Sequence, residues 1–86
     1  MKLPPLHSLV SVEWEDIVVD ADWVDKDKIG NSVSPPHPVQ TYGYLSFISD
    51  AYVVISSTMS ANSPDQYNNH ISLPLGCITE IKTFKV

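Results

Sequence analysis

Cysteine, glycine and arginine are nearly or completely missing from this chain, which has one cysteine, three glycines and no arginine. The single cysteine, Cys77, excludes an internal disulfide framework and any zinc site built from several thiolates. Three glycines are too few for a glycine-rich phosphate loop, and no serine stands in a nucleophile-elbow context. We therefore expect a protein that binds or assembles, not an enzyme, and we expect no cofactor.

Positive charge is also scarce, since five lysines face ten acidic residues and the net charge is −5. The chain lacks the basic surface with which nucleic-acid-binding proteins normally contact phosphates. Seven of the ten acidic side chains lie within residues 13–27, which we call the acidic segment. A calcium loop is one interpretation of this segment, but it lacks the glycine and the distal glutamate of an EF-hand. We therefore predict that this segment is a solvated acidic surface that attracts a basic partner.

Long apolar runs are absent as well. No stretch approaches the ~20 apolar residues of a membrane span, and the two prolines near the N-terminus interrupt any signal-peptide pattern. The sequence predicts a soluble, cytoplasmic protein without membrane contact. His7, His37 and His70 are far apart and show no metal-ligand spacing, so no metal site is expected.

Residues that favour strands are concentrated in the middle of the chain. Residues 39–48 and 52–59 predict two long antiparallel strands joined by a turn at Ser49-Asp50. The alternation places Leu45 and Phe47 on the same face of the first of these strands. Gly43, in the middle of that strand, indicates strong curvature or a close approach of two backbones.

The start of the chain predicts one more strand, followed by a polar insertion. Val10, Val12 and Trp14 alternate with polar residues over positions 9–16. Residues 19–38 form the insertion between strands 1 and 2. Within it we expect a short helical turn through Lys28. Asp22 would cap this turn, Trp23 would anchor it, and Gly30-Asn31-Ser32 would end it.

Two short strands are expected to complete the chain. Residues 60–69 are a polar loop, residues 71–74 a fourth strand, and residues 78–84 a fifth, with a break from Pro74 to Gly76. The pattern predicts one all-β domain over residues 1–86, with five strands bent into a small barrel.

Two segments resemble the Sm-like proteins, the group that includes Sm, LSm and Hfq, and small bacteriophage proteins of that type. Gly43-Tyr44-Leu45, followed by a turn aspartate at Asp50, resembles their first motif. Residues 71–81, ISLPLGCITEI, resemble their second motif. The likeness covers about two-thirds of the chain and implies an Sm-like, SH3-like five-stranded barrel. If the protein is viral, its location would be the host cell cytoplasm.

The resemblance also implies a cyclic homo-oligomer of five to seven subunits, in which strand 4 of one subunit pairs with strand 5 of the next. Charged residues make up only 17% of the chain, below the usual ~25%, and this neutral surface favours an oligomer. Free apolar edges are an aggregation hazard that such pairing removes. The expected interface residues are Ile71, Leu73, Ile78, Ile81 and Phe84.

The RNA-binding residues of that family are only partly matched. Asp50 stands near the position of the family's turn aspartate, whereas Val54 replaces its asparagine and Leu75 its arginine. If RNA binding is retained, tyrosine stacking and asparagine hydrogen bonds at the turns would carry it. The candidate residues are Asp50, Tyr52, Asn68, Asn69 and Gly76.

Two functional hypotheses follow. The first is a phage-type ring that contacts single-stranded RNA through turns facing its central opening. The second is a structural or protein-interaction ring that binds no nucleic acid and docks a basic protein partner with its acidic face. Charge favours the second hypothesis, because phosphate binding normally needs cations. The family resemblance favours the first.

Overall fold

The structure is a computed structural model that describes residues 1–84, and it confirms an all-β chain with little helix. Its elements in chain order are β1 (Leu9–Asp16), α1 (Ile29–Ser32), β2 (His37–Ile48), β3 (Tyr52–Met59), β4 (Tyr67–Pro74), a 3₁₀ turn (Leu75–Cys77) and β5 (Ile78–Thr83).

The five strands form one antiparallel sheet in the order β4-β3-β2-β1-β5. β4 and β5 are its two edges, and within residues 1–84 they do not pair with each other. The prediction of a closed barrel is therefore wrong for the single chain. The five strands form an open sheet, because the last two pair only inward, with β3 and with β1.

Two strands coincide with their predicted bounds and two begin earlier. β1 and β3 are as predicted, whereas β2 begins at His37. β4 begins at Tyr67, so the polar loop ends at residue 66 and not at residue 69. Tyr67 and Asn68 pair with Met59 and Thr58 of β3. This pairing overrides the weak strand propensity of asparagine, because strand propensity depends strongly on the neighbouring strand.

The insertion contains a short helix, but not at the position predicted for it. The helix α1 covers Ile29–Ser32, and so contains the residues expected to end it. The backbone N–H of Asp22 instead donates to the Asp20 carboxylate at 2.9 Å, which makes a turn. Trp23 is fully exposed and anchors nothing within residues 1–84. Without such packing, a short helix has no tertiary contact to fix its position.

The insertion lies between β1 and β2 as residues 17–36, a range we call the arm. All its side chains are exposed except those of Val18 and Val24, which are half-buried. The molecule measures 56 × 26 × 24 Å, and its radius of gyration is 16.6 Å. A compact chain of this length would have a radius of gyration of about 12 Å. The elongation fits an arm that extends away from the sheet.

The hydrophobic core lies on one face of the sheet and receives side chains from all five strands. Its buried residues are Val10, Val12, Leu45, Val53, Ile55, Leu73, Ile78 and Ile81. Trp14 packs against this core, and its indole Nε1 donates to Thr41 Oγ1 at 2.9 Å. The alternation predicted for β1 is confirmed, because Val10, Val12 and Trp14 all face the core.

β3 packs closely against β2 at Gly43. A Cβ atom at Gly43 would lie 2.7 Å from the carbonyl oxygen of Ser56 and 2.8 Å from Cγ2 of Ile55. The first contact is with backbone, which has no rotamer by which to move aside. The predicted close approach at this glycine is therefore confirmed.

Gly43→Ala is expected to destabilise the protein by about 1–3 kcal/mol, the usual cost of overpacking a tight interior site. In a domain of this size each 1 kcal/mol lowers Tm by about 4–8 °C. Thermal unfolding followed by circular dichroism, at one fixed protein concentration, measures the change. Gly30→Ala is the matched control, because a Cβ at Gly30 meets nothing within 4 Å. Equal Tm values for the two variants would contradict the packing argument.

Candidate binding site at the strand turns

Two turns lie side by side at one end of the sheet. The turn between β2 and β3 (residues 49–51) contacts the 3₁₀ turn between β4 and β5 through a hydrogen bond from Leu75 N to Ala51 O, 3.0 Å long. Tyr52 pairs with Pro74 in the adjoining ladder. The structure therefore brings the predicted residues Asp50, Tyr52 and Gly76 to the same end of the sheet.

Ser49 shapes the first of these turns. Its hydroxyl oxygen accepts hydrogen bonds from the backbone N–H groups of Ala51, at 3.1 Å, and Tyr52, at 3.0 Å. Its own backbone N–H donates to the carbonyl oxygen of Tyr52 at 2.9 Å. Serine commonly closes turns in this way, so a local signal for this role was present in the sequence. Asp50 is left exposed at the tip.

An exposed aromatic pair lies beside the turns. The rings of Phe47 and Tyr52 are 5.9 Å apart and tilted by 39°, and these residues are 49% and 39% exposed. Next to Tyr52 is an open groove of about 420 Å³, which Ala51 and Pro74 help to line. Exposed aromatic faces of this kind are surfaces on which unpaired nucleobases stack.

Phe47 was not predicted as part of the site, because the alternation placed it on the core face with Leu45. The β2–β3 register shifts between Leu45 and Phe47, so Ser46 is an additional residue in β2. Such a bulge reverses the direction of the side chains that follow it. Leu45 is thus buried and Phe47 exposed. The sequence contains no local signal for this bulge.

Asn68 and Asn69 do not join the other predicted site residues. Both lie near the start of β4, and Pro74 at its end marks the turns. Asn68 and Pro74 are six positions apart along the strand, which corresponds to about 20 Å. The Asn69 amide nitrogen donates to the Ser57 hydroxyl at 2.7 Å, within the β3–β4 half of the sheet.

Charge is nearly absent around the two turns. Residues 47–54 and 72–78 contain one charged side chain, that of Asp50. Cys77, in the second turn, is free and half-buried. A ligand would therefore be held here by stacking and hydrogen bonds, because these two segments contain no lysine side chain that could neutralise a phosphate.

The five predicted interface residues differ in their surroundings. Leu73, Ile78 and Ile81 are buried in the core of their own chain. Ile71 packs partly against that core. The Phe84 ring lies edge-on to Tyr42, with centroids 5.3 Å apart. These side chains belong mainly to the fold of one chain, so a contact between subunits would use the backbone edges of β4 and β5.

A serine–histidine chain that the sequence analysis missed crosses the middle of the sheet. The Ser56 hydroxyl lies 2.7 Å from both the Ser46 hydroxyl and His70 Nδ1. Ser56 is fully buried, so a substrate cannot reach its oxygen atom. This serine–histidine network gives the buried Ser56 hydroxyl its hydrogen-bond partners, as buried polar groups generally require. Its role is therefore structural.

The arm carries most of the acidic segment together with unusually exposed apolar side chains. Trp23 is fully exposed, and Ile17 and Val19 are almost as exposed. Lys28 lies 3.7 Å from Asp25 at the surface, where an ion pair contributes little. The arm has four carboxylates and two lysines, so it presents an exposed indole ring on a surface of net charge −2.

Neither a metal centre nor a membrane-spanning helix is found in residues 1–84. No group of three or more His, Cys, Asp or Glu side chains in this range could hold a metal ion. No helix formed by these residues has the length and apolar character needed to cross a bilayer.

Comparison with protein-family models, with curated proteins and with solved structures finds no match to this chain. The Sm-like resemblance therefore stays a prediction from the motifs around Gly43 and Gly76.

Proposed function

We propose that this chain is an Sm-like binding protein that assembles into a ring. The observation that carries the proposal is the strand order, which leaves β4 and β5 as two unlike edges of one sheet. Pairing of β4 with β5 of the next subunit is a head-to-tail contact, and such contacts can close into a ring. The same pairing occurs in the family that the sequence resembles.

Stability supports assembly independently of that resemblance. A chain of 86 residues buries about 60–65% of its unfolded surface, less than a larger domain does, and the buried core comprises eight apolar side chains. Unpaired edge strands are templates for aggregation unless they are protected or paired. Pairing between subunits satisfies the edge backbone groups, and it gives a ring of five to seven subunits by the family's geometry.

Native mass spectrometry and analytical ultracentrifugation are expected to give a mass five to seven times the 9.5 kDa of one chain. In hydrogen–deuterium exchange, the outward amides of β4 and β5 should be protected nearly as well as the amides of β2, a central strand. Ring pairing gives those edge amides acceptors, whereas a monomer leaves them to water. A 9.5 kDa species with rapidly exchanging edges would contradict the proposal.

The ligand that the turn geometry favours is single-stranded RNA. Bases would stack on Phe47 and Tyr52, and the Asp50 carboxylate would accept hydrogen bonds from base amino groups. Gly76 is exposed, with open space where a side chain would be, so a ligand can approach the second turn. Asn68 and Asn69 lie outside this site.

Tyr52→Ala is expected to weaken binding of a labelled U-rich or A-rich RNA by about 5- to 150-fold, because stacking contributes about 1–3 kcal/mol per base. Fluorescence anisotropy measures the affinity. Tyr42→Ala is the matched control, because Tyr42 is an exposed tyrosine of β2 that lies opposite Ser11 of β1, away from the turns.

The same titrations should depend little on salt. A site without cations releases few counterions from the RNA, so the affinity should change little between low and physiological ionic strength. Absence of binding even at low salt, or equal losses in both tyrosine variants, would overturn the RNA proposal.

The exposed indole of the arm favours a second candidate function, docking onto a basic protein. Tryptophan is among the residues that most often dominate binding energy at interfaces. The acidic segment has seven carboxylates and Lys26, so its net charge is −6, and the other residues sum to +1. Another copy of this chain therefore offers no matching basic surface, and the partner would be a different, cationic protein.

Trp23→Ala is expected to leave Tm unchanged, within about 0.5 kcal/mol of stability, because the side chain is fully exposed. The same change should abolish binding to a basic amphipathic peptide of leucine and lysine. In a Trp14→Phe background, Trp23 is the sole indole, and its emission should shift to the blue when the peptide binds. An unshifted emission spectrum, or undiminished binding by Trp23→Ala, would exclude the arm as the docking element.

A further inference from the structure

A second groove lies at the end of the sheet opposite the turns, where β3 ends and β4 begins. Its volume is about 530 Å³, within the range of small-molecule sites. Met59 and Tyr67 form the last β3–β4 pair at this end. The residues that line the groove are His7, Tyr44, Met59, Pro64, Asp65 and Tyr67. None of them takes part in the proposed RNA site or in the arm.

Tyr67 is the centre of an aromatic cluster in this groove. Its ring stacks on His7 with centroids 5.8 Å apart and planes within 10°. Its hydroxyl group lies 2.9 Å from His7 Nδ1. On β2, the ring of Tyr44 lies 5.6 Å away at a tilt of 44°. Residues distant in sequence thus converge on one set of rings.

Contacts with neighbouring residues hold His7 in an unfavourable backbone conformation. Its φ of 71° lies in the left-handed region, which non-glycine residues seldom occupy. A hydrogen bond from His7 N to Leu45 O, 2.7 Å long, ties it to β2. Unfavourable backbone conformations of this kind are concentrated at ligand sites, where surrounding contacts maintain them. The hydrogen bonds from His7 to β2 and to Tyr67 therefore tie this end of the cluster together.

The chemistry of the lining selects for a cation. The π faces of tyrosine attract positive charge, and the Asp65 carboxylate adds a formal negative charge. No lysine lines the groove, and Nδ1 of its one histidine, His7, is hydrogen-bonded to the Tyr67 hydroxyl, so a phosphate group would meet the Asp65 carboxylate with little compensating charge. A planar guanidinium group both stacks on aromatic rings and donates paired hydrogen bonds to a carboxylate, which an ammonium group does not.

We propose that this groove binds the guanidinium group of an arginine side chain on a partner protein or peptide. Tyr44 and Tyr67 provide the stacking surface, Asp65 provides the counter-charge, and His7 positions Tyr67. The inference depends neither on ring assembly nor on RNA binding. It is consistent with a chain of net charge −5 that has no arginine of its own.

The test is a nuclear magnetic resonance titration of the full chain, labelled at its tyrosine rings and methionine methyl groups. The probe is N-acetyl-arginine amide, and sodium chloride keeps the ionic strength constant. Exposed contacts of this kind are individually weak, so we expect saturable shifts of Tyr44, Tyr67 and Met59 with a Kd on the order of 10 mM. N-acetyl-lysine amide should bind at least about threefold more weakly.

Matched variants locate the site. Asp65→Asn should weaken arginine binding at least about threefold, as expected when a nearby opposite charge is removed. Glu80→Gln makes the same change in net charge on β5, the opposite edge strand, and should have no effect. Tyr67→Phe keeps the ring and should retain most of the binding. Tyr67→Leu removes the ring and should abolish binding, with an unchanged far-ultraviolet circular dichroism spectrum and a cooperative thermal unfolding transition showing that the chain is folded.

Three results would overturn the proposal. They are absence of saturable shifts at the groove, equal weakening by Asp65→Asn and Glu80→Gln, and tighter binding of adenosine monophosphate than of the arginine probe. The last result would assign the groove to a nucleotide.

Discussion

The close approach of β2 and β3 at Gly43 is the constraint on which the rest of the sheet depends. β2 pairs with β1 through residues 37–44 and with β3 through residues 44–48, so it joins the two halves of the sheet. At the junction, the Ser56 carbonyl occupies the space that a side chain would need. This contact brings β3 close to β2, and within residues 1–84 β4 pairs only with β3. The location of one free edge thus follows from a single missing side chain.

The bulge at Ser46 connects that packing to the candidate site. An additional residue in β2 interrupts the hydrogen-bond ladder. At this interruption the Ser46 hydroxyl donates to the carbonyl oxygen of Val54 at 3.1 Å. Beyond the bulge, Phe47 faces outward and meets Tyr52 across the turn. A core-facing Phe47 would leave Tyr52 without its aromatic neighbour. The exposed pair is therefore a consequence of sheet geometry and not of local composition.

Sequence patterns predicted those features of the fold that depend on residues near one another in the chain. The alternation of Val10, Val12 and Trp14 gave β1 correctly, and Gly43 correctly indicated a close approach of backbones. The early start of β4, the bulge at Ser46 and the open edges could not be predicted, because each depends on pairing between residues distant in sequence. The helix signal at Asp22 failed for the converse reason: a local propensity without tertiary packing does not fix a helix. The cluster around His7 is equally non-local, since Tyr67 is 60 residues away.

The topology also separates the candidate surfaces physically. β2 begins where the arm ends, at His37, and it ends at the turn that carries Asp50. The strongly acidic surface is thus at one end of the longest strand and the nearly uncharged turns at the other. In an acidic chain, an RNA site requires a region with few carboxylates, because carboxylates repel RNA phosphates. This repulsion between exposed charges falls off within about 10 Å at ordinary salt. If both proposals hold, separation along β2 would let the same chain contact RNA at the turns and a cationic protein at the arm.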